Sequence, residues 1–151
     1  MNNKPLRVLS FAVNYNRIGF VFLLGRQPMY WKLAFKPTET AGKTKAYIQQ
    51  LLDEYQPDVV ITESYQSLGR KGERTRMLMN AVNRSLEGSD VQHIEQERVQ
   101  PYRNLYDRIE ELCQRYPQMQ AVRPKRRKFY QNEPPYVTLF DALSLADTVN
   151  S

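Results

Sequence analysis

The chain has 151 residues, 41% of them hydrophobic and 11% aromatic, which suffices for one buried core and is too apolar for a disordered chain. Lys and Arg number 22 against 16 Asp and Glu, and the resulting formal charge of +6 biases encounters toward polyanions such as nucleic acid. No run approaches the roughly 18 apolar residues of a membrane span. Met1 to Pro5 leads into a strand-like run without a signal-peptide core, so a cytoplasmic protein with no membrane partner is expected.

Arg7 to Leu24 is rich in Val, Leu, Phe and Ile and is broken by Asn14-Tyr15-Asn16-Arg17, a turn cluster that joins two antiparallel strands. Gly25 to Pro28 supplies a second turn, and Met29 to Phe35 alternates as a third strand. Thr44 opens a segment with Ile48, Leu51, Leu52 and Tyr55 at helical spacing, stopped by Pro57. Asp58 to Thr62 is a short continuous apolar run, the pattern of a strand covered on both faces, and it ends at Glu63.

Ser64 to Gly72 reads as a loop, followed by a second helix with Leu78, Ala81, Val82 and Leu86 on its buried stripe. Val91 to Glu95 is a short strand candidate. Leu105, Ile109, Leu112 and Tyr116 then mark a third helix ended by Pro117, and its Cys113, the one cysteine, reads as a small apolar residue with no zinc-ligand spacing around it. Residues 123–135 form a basic, proline-rich loop, and Leu139, Leu143 and Ala146 carry a last amphipathic helix. A meander feeding alternating helices and strands predicts a single α/β domain over residues 1–151, built on a mixed sheet with helices on both faces.

Two acids stand where chemistry is expected. Glu63 closes the central strand, at the sheet end where open α/β folds place ligands; on position alone the solvated strand-end carboxylate is the better reading, because strand ends are often charged. Asp141 sits in the first turns of the last helix, where it also complements the positive helix end, a contribution of roughly 0.3–1 kcal/mol.

Taken in order, Val8 to Phe20, Val59-Val60-Ile61-Thr62-Glu63 and Asp141-Ala142-Leu143-Ser144-Leu145-Ala146 resemble the RuvC-like Holliday junction resolvases of the ribonuclease H-like superfamily. In that family a first strand carries an Asp, followed by a turn and a Gly-containing second strand. A central strand ends in Glu, and a late helix carries an Asp-Ala-Leu motif. The resemblance implies phosphodiester hydrolysis of branched DNA with Mg²⁺ or Mn²⁺ held by carboxylates, Glu63 and Asp141 among them. It also implies a homodimer, because two strands are cut symmetrically.

The chain departs from that pattern at two positions. Ala12 stands where the family has its first catalytic Asp, and Thr138 where a further acid often precedes the late Asp. Asn14 is near Ala12 but reads as a turn residue, and Asp147 lies about 240° further round the helix than Asp141 and should face elsewhere. Two accounts of Ala12 stand side by side: a replaced Asp in a Mg²⁺-dependent endonuclease, or a non-catalytic nucleic-acid-binding module that keeps the fold.

Arg70, Lys71, Arg74 and Arg76 follow Glu63 and are read as phosphate contacts, with Tyr65 beside them as a substrate contact. Tyr15 in the first turn has the same status. Arg123, Lys125, Arg126, Arg127 and Lys128, followed by Phe129 and Tyr130, combine charge with rings that stack on unpaired bases. The alternative for each group is a solvated basic surface.

Overall fold

The computed structural model describes residues 4–14, 16–64, 72–97, 105–124 and 136–150. The meander is present as strands β1 (Arg7–Asn14), β2 (Arg17–Leu24) and β3 (Gln27–Ala34). β1 and β2 pair antiparallel from Arg7↔Leu24 to Asn14↔Arg17. The strands therefore run through Asn14 and Arg17, both of which the sequence assigns to the turn. The second turn needs a left-handed residue, and Gly25 supplies it at φ 59°.

Helix α1 (Ala41–Tyr55) starts three residues before Thr44, because the Thr40 side chain accepts a hydrogen bond from the Lys43 N–H and caps it there. It ends on left-handed Gln56, just before Pro57. Strand β4 (Val59–Glu63), helix α2 (Glu73–Leu86) and strand β5 (Gln92–Gln96) follow. Helix α3 (Leu105–Arg115) stops before Pro117 as expected, yet the chain continues as a 3₁₀ helix, Pro117–Val122, in which proline occupies the tolerated first turn. Helix α4 (Val137–Asn150) closes the domain.

The five strands form one sheet in the order β3-β2-β1-β4-β5, antiparallel within the meander and parallel from β1 through β4 to β5. Side chains alternate across it. Leu9, Phe11, Val13, Phe20 and Val60 pack against α1 and α2 on one face, and Val8, Ala12, Val21, Val59 and Ile61 pack against α3 and α4 on the other. The apolar stripes of α2 (Leu78, Met79, Val82, Leu86) and α3 (Ile109, Leu112, Cys113) are thus turned into the two cores.

The expectation of an amphipathic last helix is corrected. Every residue of α4 from Val137 to Ala146 is buried, Asp141 and Ser144 included, and so is Asp147. The helix lies across the sheet and packs against α3, so its polar residues Thr138, Asp141, Ser144 and Asp147 have protein around them instead of water. Among the described residues, no helix is long and apolar enough to cross a membrane.

Candidate functional site

Two features seat α4 on the sheet. The buried Ser10 hydroxyl on β1 donates to the Ala142 carbonyl at 2.6 Å. Gly19, opposite Ala12 in the β1–β2 ladder, gives α4 room: a Cβ there would lie 3.0 Å from Thr138 Cγ2 and 3.3 Å from the Thr138 backbone carbon. The glycine on the second strand is therefore explained by close approach of a helix, and it brings Thr138 and Asp141 over the ends of β1 and β2.

β4 brings the second acid to the same place. Val8↔Val59 and Ser10↔Ile61 are in parallel register, so two residues further Ala12 falls opposite Glu63. Val59 and Ile61 face α4 together with Val8 and Ala12, and by alternation Glu63 faces it too. Ala12 (1% exposed), Glu63 (1%) and Asp141 (3%) consequently converge at the C-terminal ends of the two central strands.

Asn14 belongs to this group, a role that its reading as a turn residue misses. Its amide Nδ2 donates to Asp141 Oδ2 and lies 3.4 Å from Thr138 Oγ1, tying the last residue of β1 to two consecutive turns of α4. Its phase was the available signal, because Val8, Ser10, Ala12 and Asn14 share one face of a strand.

Asp147, six residues on, points elsewhere, as its angular position predicts. It accepts from Arg108 at 3.0 Å, from Arg115 at 2.5 Å and from the Tyr116 hydroxyl at 2.7 Å. Burial pushes its carboxyl up, but the hydrogen bonds from Arg115 and Tyr116 and the charges of Arg115 and Arg108 outweigh that, leaving it below the ordinary carboxylate range. Burial followed by the bond to Asp147 raises the Tyr116 hydroxyl in turn.

A pair of divalent ions needs several oxygen ligands, most of them anionic, to offset the charge. This site offers Glu63 and Asp141, whereas Ala12 has no ligand atom, Thr138 is a neutral hydroxyl and Asn14 presents an amide N–H to Asp141. Among the described residues no three His, Cys, Asp or Glu side chains are grouped to hold a metal. The described residues do not fit a metal pair.

Of the basic positions, Arg74 and Arg76 lie on the first turns of α2. The Arg74 guanidinium donates to Asn16 Oδ1 at 2.5 Å and to the Thr38 carbonyl at 2.8 Å, so it ties α2 to the β1–β2 turn. Arg123 pairs with Glu110 at 2.5 Å. Arg70, Lys71, Lys125, Arg126, Arg127, Lys128, Tyr15, Tyr65, Phe129 and Tyr130 lie outside the described residues.

No protein-family model matches this sequence, and no curated protein matches it in sequence. Solved structures do match in fold. The Thermus thermophilus RuvC structure aligns at TM-score 0.59 and 16% identity over 93% of this chain and 91% of its own. The fowlpox virus resolvase, solved with Holliday junction DNA, aligns at 0.59 and 12% identity over 96% and 97%. The yeast mitochondrial Holliday junction resolvase Ydc2 aligns at 0.53 and 11% identity over 97% and 78%. The chain has the α/β ribonuclease H-like fold of the RuvC-type resolvases.

Proposed function

We propose that this protein binds branched DNA at the face where α4 crosses the ends of β1 and β4, and that as it stands it does not cut it. The observation carrying this reading is the convergence of Ala12, Glu63, Asp141 and Asn14 on that face, with two acids among the described residues where a metal pair needs more. The formal charge of +6 and Arg76 at the start of α2 support a polyanionic partner. Two of the matched structures, a T. thermophilus RuvC and the fowlpox resolvase, are complexes with Holliday junctions. Two copies on one junction, and a part in DNA recombination and repair, accord with that substrate.

A second reading is favoured by Glu63 and Asp141, which keep the family's two positions and are both buried on the same face. In it Ala12 replaces an Asp, and the restored site is a Mg²⁺- or Mn²⁺-dependent endonuclease. One experiment tests both: gel shift and cleavage on labelled four-way junction, duplex and single-stranded DNA, with EDTA or Mn²⁺, using the native chain, Ala12→Asp and Ala12→Asp/Glu63→Gln. Binding of the junction without cleavage by any variant supports the binding module. Cleavage gained by Ala12→Asp and lost in the double variant supports the enzyme reading, and no preference for the junction over duplex sinks the proposal of a branched-DNA-binding module.

A further inference from the structure

The neutral residues of the site act together. The Asn14 amide reaches Asp141 and Thr138, which are three residues apart on α4, the two positions where the resemblance expects acids. Thr138 is pressed onto Gly19 so closely that a Cβ on the glycine would stand 3.0 Å from it, which fixes the helix start against the strand that carries Asn14's neighbour in the ladder. An amide N–H directed at a carboxylate oxygen takes a lone pair that a cation would otherwise use and supplies partial positive charge in its place.

We propose that Asn14 plays the structural part of a cation: its N–H on Asp141 joins β1 to α4 and makes this end of the fold self-sufficient without a divalent metal. The proposal rests on the resolvase-like placement of the site and goes beyond the question of cleavage. It explains how Asp141 remains buried when Ala12 offers no ligand, and it makes Asn14, Ala12 and Thr138 one concerted departure from an acid-rich site.

The test uses the full chain and Mn²⁺ as the probe. Isothermal titration of the native protein should show no Mn²⁺ binding that Asp141→Asn removes, and Mn²⁺ should not raise its melting temperature. Asn14→Asp places a carboxylate against Asp141, so this variant should melt several degrees lower in EDTA and recover when Mn²⁺ is added. Asn14→Ala, which removes the donor without adding charge, should speed amide exchange in the first turns of α4 and leave α1 unchanged.

Native Mn²⁺ binding that depends on Asp141 overturns the proposal. So does an Asn14→Asp protein as stable in EDTA as the native one, or unaltered α4 exchange in Asn14→Ala. Junction binding measured separately in EDTA keeps the two ideas apart, because its failure removes the proposed function and leaves these expectations standing.

Discussion

Helix α4 carries two buried aspartates six residues apart, and the protein treats them in opposite ways. Asp147 is held by Arg108, Arg115 and Tyr116, all from α3 and the residue after it, so its negative charge is matched by the chain's own cations. Asp141 lies at the strand-end face beside Glu63's strand and is met by the amide of Asn14. The first arrangement is a structural clamp between two helices. The second is a site whose charge has been reduced, which is why only the second bears on function.

The largest effect should come from breaking the clamp. Asp147→Asn leaves the Arg108 guanidinium, 7% exposed, without its main anionic partner, and removing one member of a buried pair costs roughly 3–5 kcal/mol. Glu111, which also bonds Arg108 at 2.9 Å, holds the cost toward the lower end. Asp141→Asn leaves an amide oxygen for Asn14 to donate to and removes charge from a two-carboxylate site, so its cost should stay below about 1.5 kcal/mol. Urea unfolding midpoints of the two variants check the contrast, and equal losses would mean that the aspartates are not different in kind.

Gly19→Ala probes the seat of α4 on the site side. Its Cβ would meet a backbone carbon of Thr138 at 3.3 Å as well as the methyl at 3.0 Å, so the helix start must shift. Overpacking of this kind costs about 1–3 kcal/mol, and the shift should weaken junction binding beyond what the stability loss explains. Binding affinity and unfolding midpoint measured on one preparation separate the two contributions, and unchanged affinity would place the DNA surface away from this end.

Much of this contrast was legible before the fold was seen. β4 and the meander announced themselves by apolar runs and turn residues, and the separation of Asp147 from Asp141 followed from helical geometry alone. The burial of α4 did not, because the partners of its polar groups, the Ala142 carbonyl and the Asp141 and Ser144 side chains, come from Ser10, Asn14 and Arg108, up to 132 residues away, and no local pattern records them. Asn14 was hidden by its company: an Asn-Tyr-Asn cluster is a good turn signal, and only the two-residue phase with Ser10 and Ala12 argued for a strand position. Tyr116 stood at helical spacing yet lies just past α3, where its hydroxyl serves Asp147 instead of extending a stripe.

The smallest effect lies on the opposite face of β4. Thr62, adjacent to Glu63, shares a 2.8 Å hydrogen bond with Nε2 of His93 on β5. Burial lowers the imidazole below its ordinary 6.5, with Glu95 opposing, so the folded state holds the ring neutral at pH values where the unfolded chain protonates it. The stabilisation is therefore complete above about pH 6.5. It should fall away as pH drops from there toward the depressed folded value, while carboxylates of ordinary pKa stay ionised. Unfolding midpoints at pH 7.5 and 5.5 should show a small loss in the native protein that His93→Gln abolishes. A native midpoint that rises on acidification would reverse the sign and show His93 to be charged in the fold, making Glu95, rather than burial, the dominant neighbour.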